Sequence, residues 1–245
     1  MKEQLPTADC RLPIERQSTA TFSASIENRK SKIENRAAFT LIELLVVISI
    51  ISVIAGMTFS VLKGVKRVQY LKTATAELAQ IAGALDNYKA KYGVYPPGNA
   101  SNPLLNQLYY ELSGTTINGA DYVTLDGSSQ ILVGAVKTAY GVGGFINCTK
   151  GGGEDSTPAR NFLSGISSKR VFYPVTNNGV ATTILITSVG GPDQNYQPLN
   201  ASDLNPFRYS YPGTNNPTSY DLWIDLSISG KTNRISNWHI APIVL

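Results

Sequence analysis

Histidine is almost missing from this sequence, with His239 the only one among 245 residues. A single imidazole cannot build a multi-histidine metal cluster, and no Gly-x-Ser-x-Gly elbow is present to hold a serine nucleophile. The residues therefore give enzyme chemistry no foothold. Cysteine is nearly as scarce: Cys10 sits in a polar N-terminal stretch and Cys148 far from it. Once that stretch is removed, no intrachain disulfide can form, so cysteine usage leaves the redox compartment open. Charge is thin as well, at 16% of residues with a net +4, and the basic residues are spread without dense Lys/Arg tracts. That excludes the usual nucleic-acid footprint, and no specific nucleic-acid partner is expected. Gly230-Lys231-Thr232 imitates the end of a phosphate-binding loop, but the first glycine of that pattern falls on Asp225 and no helix pattern follows.

Two further absences turn the reading positive. No proline interrupts the chain between Pro13 and Pro96, and no charge appears between Leu44 and Leu62. A helix rising ~1.5 Å per residue needs about 20 apolar residues to cross a ~30 Å hydrocarbon layer, so residues 41–62 are long enough to span a membrane. Glu43 is the anomaly. A carboxylate in such a segment costs about 2.5–3.5 kcal/mol at mid-bilayer and calls for a partner.

Ala38-Phe39-Thr40-Leu41-Ile42-Glu43, set after the basic residues Arg29, Lys30, Lys32 and Arg36 and before the apolar run, resembles the type IV prepilin signal. That signal is shared by type IV pilins and type II secretion pseudopilins. The resemblance implies cleavage between Ala38 and Phe39 by a prepilin peptidase that also methylates the new Phe39 amine. It implies a role for Glu43 in assembly, pairing with the Phe39 amine of a neighbouring subunit. Ala38 stands where the family usually has glycine; a small residue is kept. Two plainer readings compete. One is a secretory signal ending at Val53-Ile54-Ala55 before Gly56, and the other an unprocessed membrane anchor. Neither has a use for Glu43.

Residues 1–38 read as the leader, and residues 39–93 as one long helix. Past Leu62 the apolar residues continue at steps of three or four through Val65, Val68, Leu71, Leu78, Ile81, Leu85, Tyr88 and Tyr92, with Thr75 filling the gap after Leu71. The helix thus changes from apolar all round to amphipathic. At ~1.5 Å per residue it reaches roughly 80 Å, more than one small domain can bury. The first half is expected to meet lipid or other copies, and the second half its own domain. Gly56 and Gly64 weaken it by about 1 kcal/mol each. Gly93 and Pro96-Pro97 supply the stop. Tyr92-Gly93-Val94-Tyr95-Pro96 resembles the corner that ends the helix of major pseudopilins.

Residues 94–245 read as an extracytoplasmic domain. Leu104 to Leu112 suggest a short helix ending at Gly114. Strands are expected at 130–136, 170–175, 181–189, 207–211 and 220–226, with Asn177-Asn178-Gly179 as a hairpin turn and Gly141–Pro158 as a glycine-rich loop. The stretch from Tyr220 to Trp238 resembles the end of type II secretion major pseudopilins, where a calcium loop precedes an Asp-Ile-x-Asn-Trp motif. Ile235, Asn237 and Trp238 match it, and Arg234 replaces the aspartate. The metal candidates are Asp225, Ser227 and Ser229, few oxygens for a cation that takes six to eight. A metal-free loop with Arg234 as the internal positive charge is the other reading, and no other cofactor is expected.

The expectation is a pilin-like α+β subunit, a long N-terminal helix packed on a C-terminal antiparallel sheet. By resemblance it is a structural, non-enzymatic component of a type II secretion pseudopilus or type IV pilus, held single-pass in the bacterial inner membrane before assembly. Its implied partners are the peptidase/N-methyltransferase, other copies, minor pilin-like subunits, an inner-membrane assembly platform and lipid. The rival is a membrane-anchored extracytoplasmic binding protein whose loops hold a ligand.

Overall fold

The computed structural model describes residues 40–99, 101–150, 157–166, 172–191, 193 and 195–245, the side chains of 58–63 excepted. The expected leader, residues 1–38, and the expected cleavage point between Ala38 and Phe39 lie outside the described residues. Two compact units divide the chain, Met1–Ile51 and Ser52–Leu245.

Helix α1 is Leu41–Tyr92. It ends as its sequence dictates. Gly93 adopts φ +77°, the left-handed conformation that glycine enters without strain, and its N–H donates to Lys89 O at 2.8 Å. In the second unit the buried stripe of α1 is Ala74, Leu78, Ile81, Ala84, Leu85 and Tyr88. The gap after Leu71 is filled by Ala74 rather than Thr75. Thr75 is exposed, and its hydroxyl donates back to Leu71 O at 2.8 Å. Val65 and Val68 carry the right periodicity yet are 56% and 50% exposed, so packing starts about one turn later than the pattern suggests.

Helix α2, Leu108–Ser113, is followed by Gly114 as expected. Then come β1 (Thr115–Asn118), β2 (Asp121–Thr124) and β3 (Gln130–Leu132), a three-stranded antiparallel sheet. The strand expected over 130–136 stops at Leu132, and Val136–Tyr140 forms helix α3. Strands β4 (Phe172–Asn177) and β5 (Val180–Leu185) make the anticipated hairpin. Asn178 and Gly179 both take positive φ, 49° and 79°, the geometry whose twist matches the flanking strands. Finally β6 (Arg208–Ser210), β7 (Asp221–Ile228), β8 (Lys231–Ser236) and β9 (Ile243–Val244) form a four-stranded antiparallel sheet. The architecture is α+β, with three separate antiparallel sheets among the described residues instead of a single one. Leu222, Ile224, Leu226 and Ile228, alternate residues of β7, join the α1 stripe in one core.

Polar contacts fasten α1 to this core at three levels. Arg67 donates to Asn233 Oδ1 at 3.1 Å. Glu77 accepts from Ser188 N at 3.0 Å and from the hydroxyls of Thr187 and Ser188. Near the helix end, Glu111 is fully buried and accepts from Tyr88 OH at 2.8 Å, Ile146 N at 2.9 Å and Asn147 N at 3.0 Å. Asn147 in turn accepts from Tyr92 OH at 2.5 Å and donates to Glu111 O at 2.6 Å. Two tyrosines one helical turn apart are thereby held by a buried carboxylate and a buried amide.

Candidate functional site

Thr40 and Glu43 stand at the head of α1 and bond reciprocally. Thr40 N and Thr40 Oγ1 each donate to Glu43 Oε2 at 2.9 Å, and Glu43 N donates to Thr40 Oγ1 at 3.3 Å. This is a capping box: the first turn of a helix leaves amides unpaired, and a Thr and a Glu three residues apart satisfy two of them. Sequence reasoning assigned Glu43 to assembly and missed this local role, although Thr-x-x-Glu before an apolar run is its signature. Phe39 lies outside the described residues, so the pairing of its amine with Glu43 is not on view.

After the box, every described side chain from Leu41 to Met57 is exposed, Leu41 at 80% and Met57 at 70%. A chain does not keep an apolar surface of this extent without something to cover it. Among the described residues no helix is long and apolar enough to cross a membrane. The side chains that would extend the run beyond Met57, at 58–63, belong to the residues left out of the description.

The second candidate region is the β7–β8 hairpin. Asp225 and Arg234 face each other across the register, and the guanidinium grips the carboxylate at both oxygens, Nε to Oδ1 at 2.7 Å and Nη2 to Oδ2 at 2.9 Å. Arg208 Nε adds a second cation at 3.7 Å from Oδ2. The bonds to Asp225 push the Arg234 pKa further above its ordinary value, so the guanidinium stays charged. Ser227 Oγ donates to Asp193 at 3.3 Å, and Ser229 occupies the turn at φ +54°. The three metal candidates thus offer calcium no free carboxylate, and a cation at Asp225 would have to displace an arginine. No cluster of three metal-ligating side chains occurs among the described residues. Arg234→Ala should lower stability by about 2 kcal/mol, and the Asp225→Ala/Arg234→Ala double variant should recover none of it, because Asp225 keeps Arg208 in the single variant whereas the double variant leaves the buried Arg208 without its carboxylate. Urea unfolding of the four proteins checks this cycle.

Asn237 and Trp238, the rest of the C-terminal resemblance, act as a clasp on β7. Asn237 Oδ1 accepts from Leu222 N at 2.9 Å and Nδ2 donates to Tyr220 O at 2.9 Å. The Trp238 ring meets Trp223 edge to face at 5.7 Å. Gly230-Lys231 is the end of a hairpin turn, with Gly230 N donating to Asp193 at 2.8 Å.

Comparison with known proteins marks the N-terminal region alone. The prokaryotic N-terminal methylation motif matches residues 34–59, which take in the Ala38–Phe39 pair, the capping box and most of the apolar run. This motif is the prepilin-type signal of type IV pilin-like proteins. No curated protein and no solved structure matches the chain at a significant level.

Proposed function

From the prepilin-type signal that marks this chain as type IV pilin-like and processed by a prepilin peptidase, we infer that it is a structural subunit of a filament. The observation that carries the reading is the coincidence of that signal with the exposed apolar face Leu41–Met57. In the precursor this face meets lipid, over a single span at about residues 41–62 of the bacterial inner membrane. After processing it meets the same face of other copies, so that one set of side chains serves anchoring and assembly in turn. The domain of residues 94–245 lies on the extracytoplasmic side. Of the two machines, a type II secretion pseudopilus is favoured by the Tyr92–Pro96 corner and by Asn237-Trp238. A type IV pilus uses the same helix chemistry. Minor pilin-like subunits and an inner-membrane assembly platform complete the set of partners. The role is structural, with no catalytic residues.

Processing provides the test. The mature chain should begin at Phe39 and carry one N-methyl group, as read by intact-mass analysis of protein extracted from membranes. A bulky residue in place of Ala38 should leave the precursor uncut, because the peptidase site accepts a small residue there. A mature terminus at Gly56 would establish an ordinary secretory signal and overturn the filament reading.

A further inference from the structure

The turn between β2 and β3 and the β4–β5 hairpin enclose an open groove of 380 Å³. Ser128, Ser129 and Gln130 line one side, and Pro174, Thr182 and Thr183 the other. The hydroxyls form two short runs. Tyr110 OH meets Ser129 Oγ at 3.0 Å, Ser129 Oγ meets Thr183 Oγ1 at 2.7 Å, and Thr124 Oγ1 meets Ser128 Oγ at 3.3 Å. Along Tyr110–Ser129–Thr183 either oxygen of each pair can donate, so that run reverses direction by rotation of O–H bonds alone, whereas the one Ser128 hydroxyl proton goes to Asp126 Oδ1.

Two exposed groups border the groove. Asp126 accepts from Ser128 N at 3.1 Å and Ser128 Oγ at 2.6 Å, both at Oδ1, which leaves carboxylate lone pairs for a ligand. Phe172, 39% exposed, lies two residues before Pro174 on the same face of β4. Its ring packs on Tyr109 at 4.9 Å, and the Tyr109 hydroxyl bonds Ser128 at the groove wall.

This chemistry selects its ligand by elimination. Among the described residues no lysine or arginine lines the groove, and a carboxylate stands at its edge, which disfavours phosphates, sulfates and acidic sugars. An apolar ligand would strip water from the exposed Asp126, Ser128 and Gln130 and return no hydrogen bonds. A ligand that is itself a row of hydroxyls, each both donor and acceptor, matches the acceptor Asp126, the Gln130 amide and the reversible run at Ser129. Its C–H face suits the Phe172 ring. We propose that the groove binds a neutral carbohydrate, with Asp126 and Gln130 taking ligand hydroxyls and Phe172 stacking on the sugar ring. This activity is independent of the assembly helix, so a filament subunit would display the groove on its extracytoplasmic domain.

The experiment uses the full chain in a detergent without a sugar head group. Glucose, galactose, N-acetylglucosamine and their short neutral oligomers are titrated by saturation-transfer NMR and calorimetry, beside glucuronate and a neutral peptide. At least one neutral oligosaccharide should bind, and Asp126→Ala and Phe172→Ala should each weaken it about tenfold or more while the circular dichroism stays that of the parent. Gln130→Ala should weaken it less, because its hydrogen bonds are uncharged. The proposal fails if no neutral probe binds below about 10 mM, if the acidic sugar or the peptide binds better, or if the variants bind as the parent does. None of these results bears on whether the chain is cut at Phe39, so this proposal and the filament reading stand or fall separately.

Discussion

Glu111→Ala should lower the stability of the folded domain by roughly 3–5 kcal/mol, a large share of the 5–15 kcal/mol typical of a domain. The carboxylate is fully buried and receives three donors, the Tyr88 hydroxyl and the amides of Ile146 and Asn147. Alanine leaves all three buried without an acceptor, at about 1–3 kcal/mol each before relaxation. Glu111→Gln keeps one acceptor oxygen but turns an NH2 toward an N–H donor, so a smaller loss of about 1–3 kcal/mol is expected. Urea unfolding followed by tryptophan fluorescence measures both. A loss below about 1 kcal/mol for alanine would show that this carboxylate does not hold the end of α1 to the core.

The same residue predicts a sign for the pH dependence. Burial raises the Glu111 pKa above its ordinary 4.5, and the two amides and Tyr88 only partly offset this. The folded protein therefore keeps the proton at pH values where the unfolded chain has lost it. The stabilisation from that proton is fully present below the unfolded pKa and is lost as pH rises through the folded one. The stability of the parent relative to Glu111→Gln should accordingly fall between about pH 4 and the folded pKa. A relative stability that instead rises with pH over this range would mean that the donors outweigh burial.

Glu43→Ala and Glu43→Gln should both abolish incorporation into filaments while leaving membrane insertion and cleavage at Phe39 intact. Two roles meet at this carboxylate, and the pair of variants separates them. The first is the capping box with Thr40, which glutamine retains in weaker form because an amide oxygen still accepts the Thr40 bonds. The second is the charge that we assign to pairing with the Phe39 amine of a neighbouring subunit, which glutamine removes. Losing the cap frays one helix end at about 0.5–2 kcal/mol. Losing the charge removes the term that aligns one helix against the next in an apolar core. Processed protein in membranes and the amount in sheared or cross-linked assemblies are measured in one strain. Assembly by Glu43→Gln with failure of Glu43→Ala would assign Glu43 to capping and remove the intersubunit pairing. Failure of both to insert would place Glu43 at an earlier step.

The elements legible in the sequence are those with local causes. Thr40 and Glu43 three residues apart, an apolar run without proline, a stripe at helical spacing and a glycine after Tyr92 each act within one or two turns of chain. They determined α1 without reference to the rest of the molecule. Asn178-Gly179 determined its hairpin for the same reason, since two positive φ angles are a property of the turn residues. The hairpin of β1 and β2 and the strand β8 were not legible. Thr115–Thr124 and Lys231–Ser236 are mostly polar, and what makes them strands is their partners: Thr116 opposite Val123, Asp225 opposite Arg234. Tertiary contact alone chose Ala74 over Thr75 for the core, because the two differ by one position on a helix whose rotation is set by β7 and its neighbours. It also decided what the charges do. Asp225 belongs to an arginine and Glu111 to three donors brought from α1 and from the loop at Ile146 and Asn147. Spacing along a chain is local, whereas the partner of a buried charge is fixed only when distant segments exclude water between them.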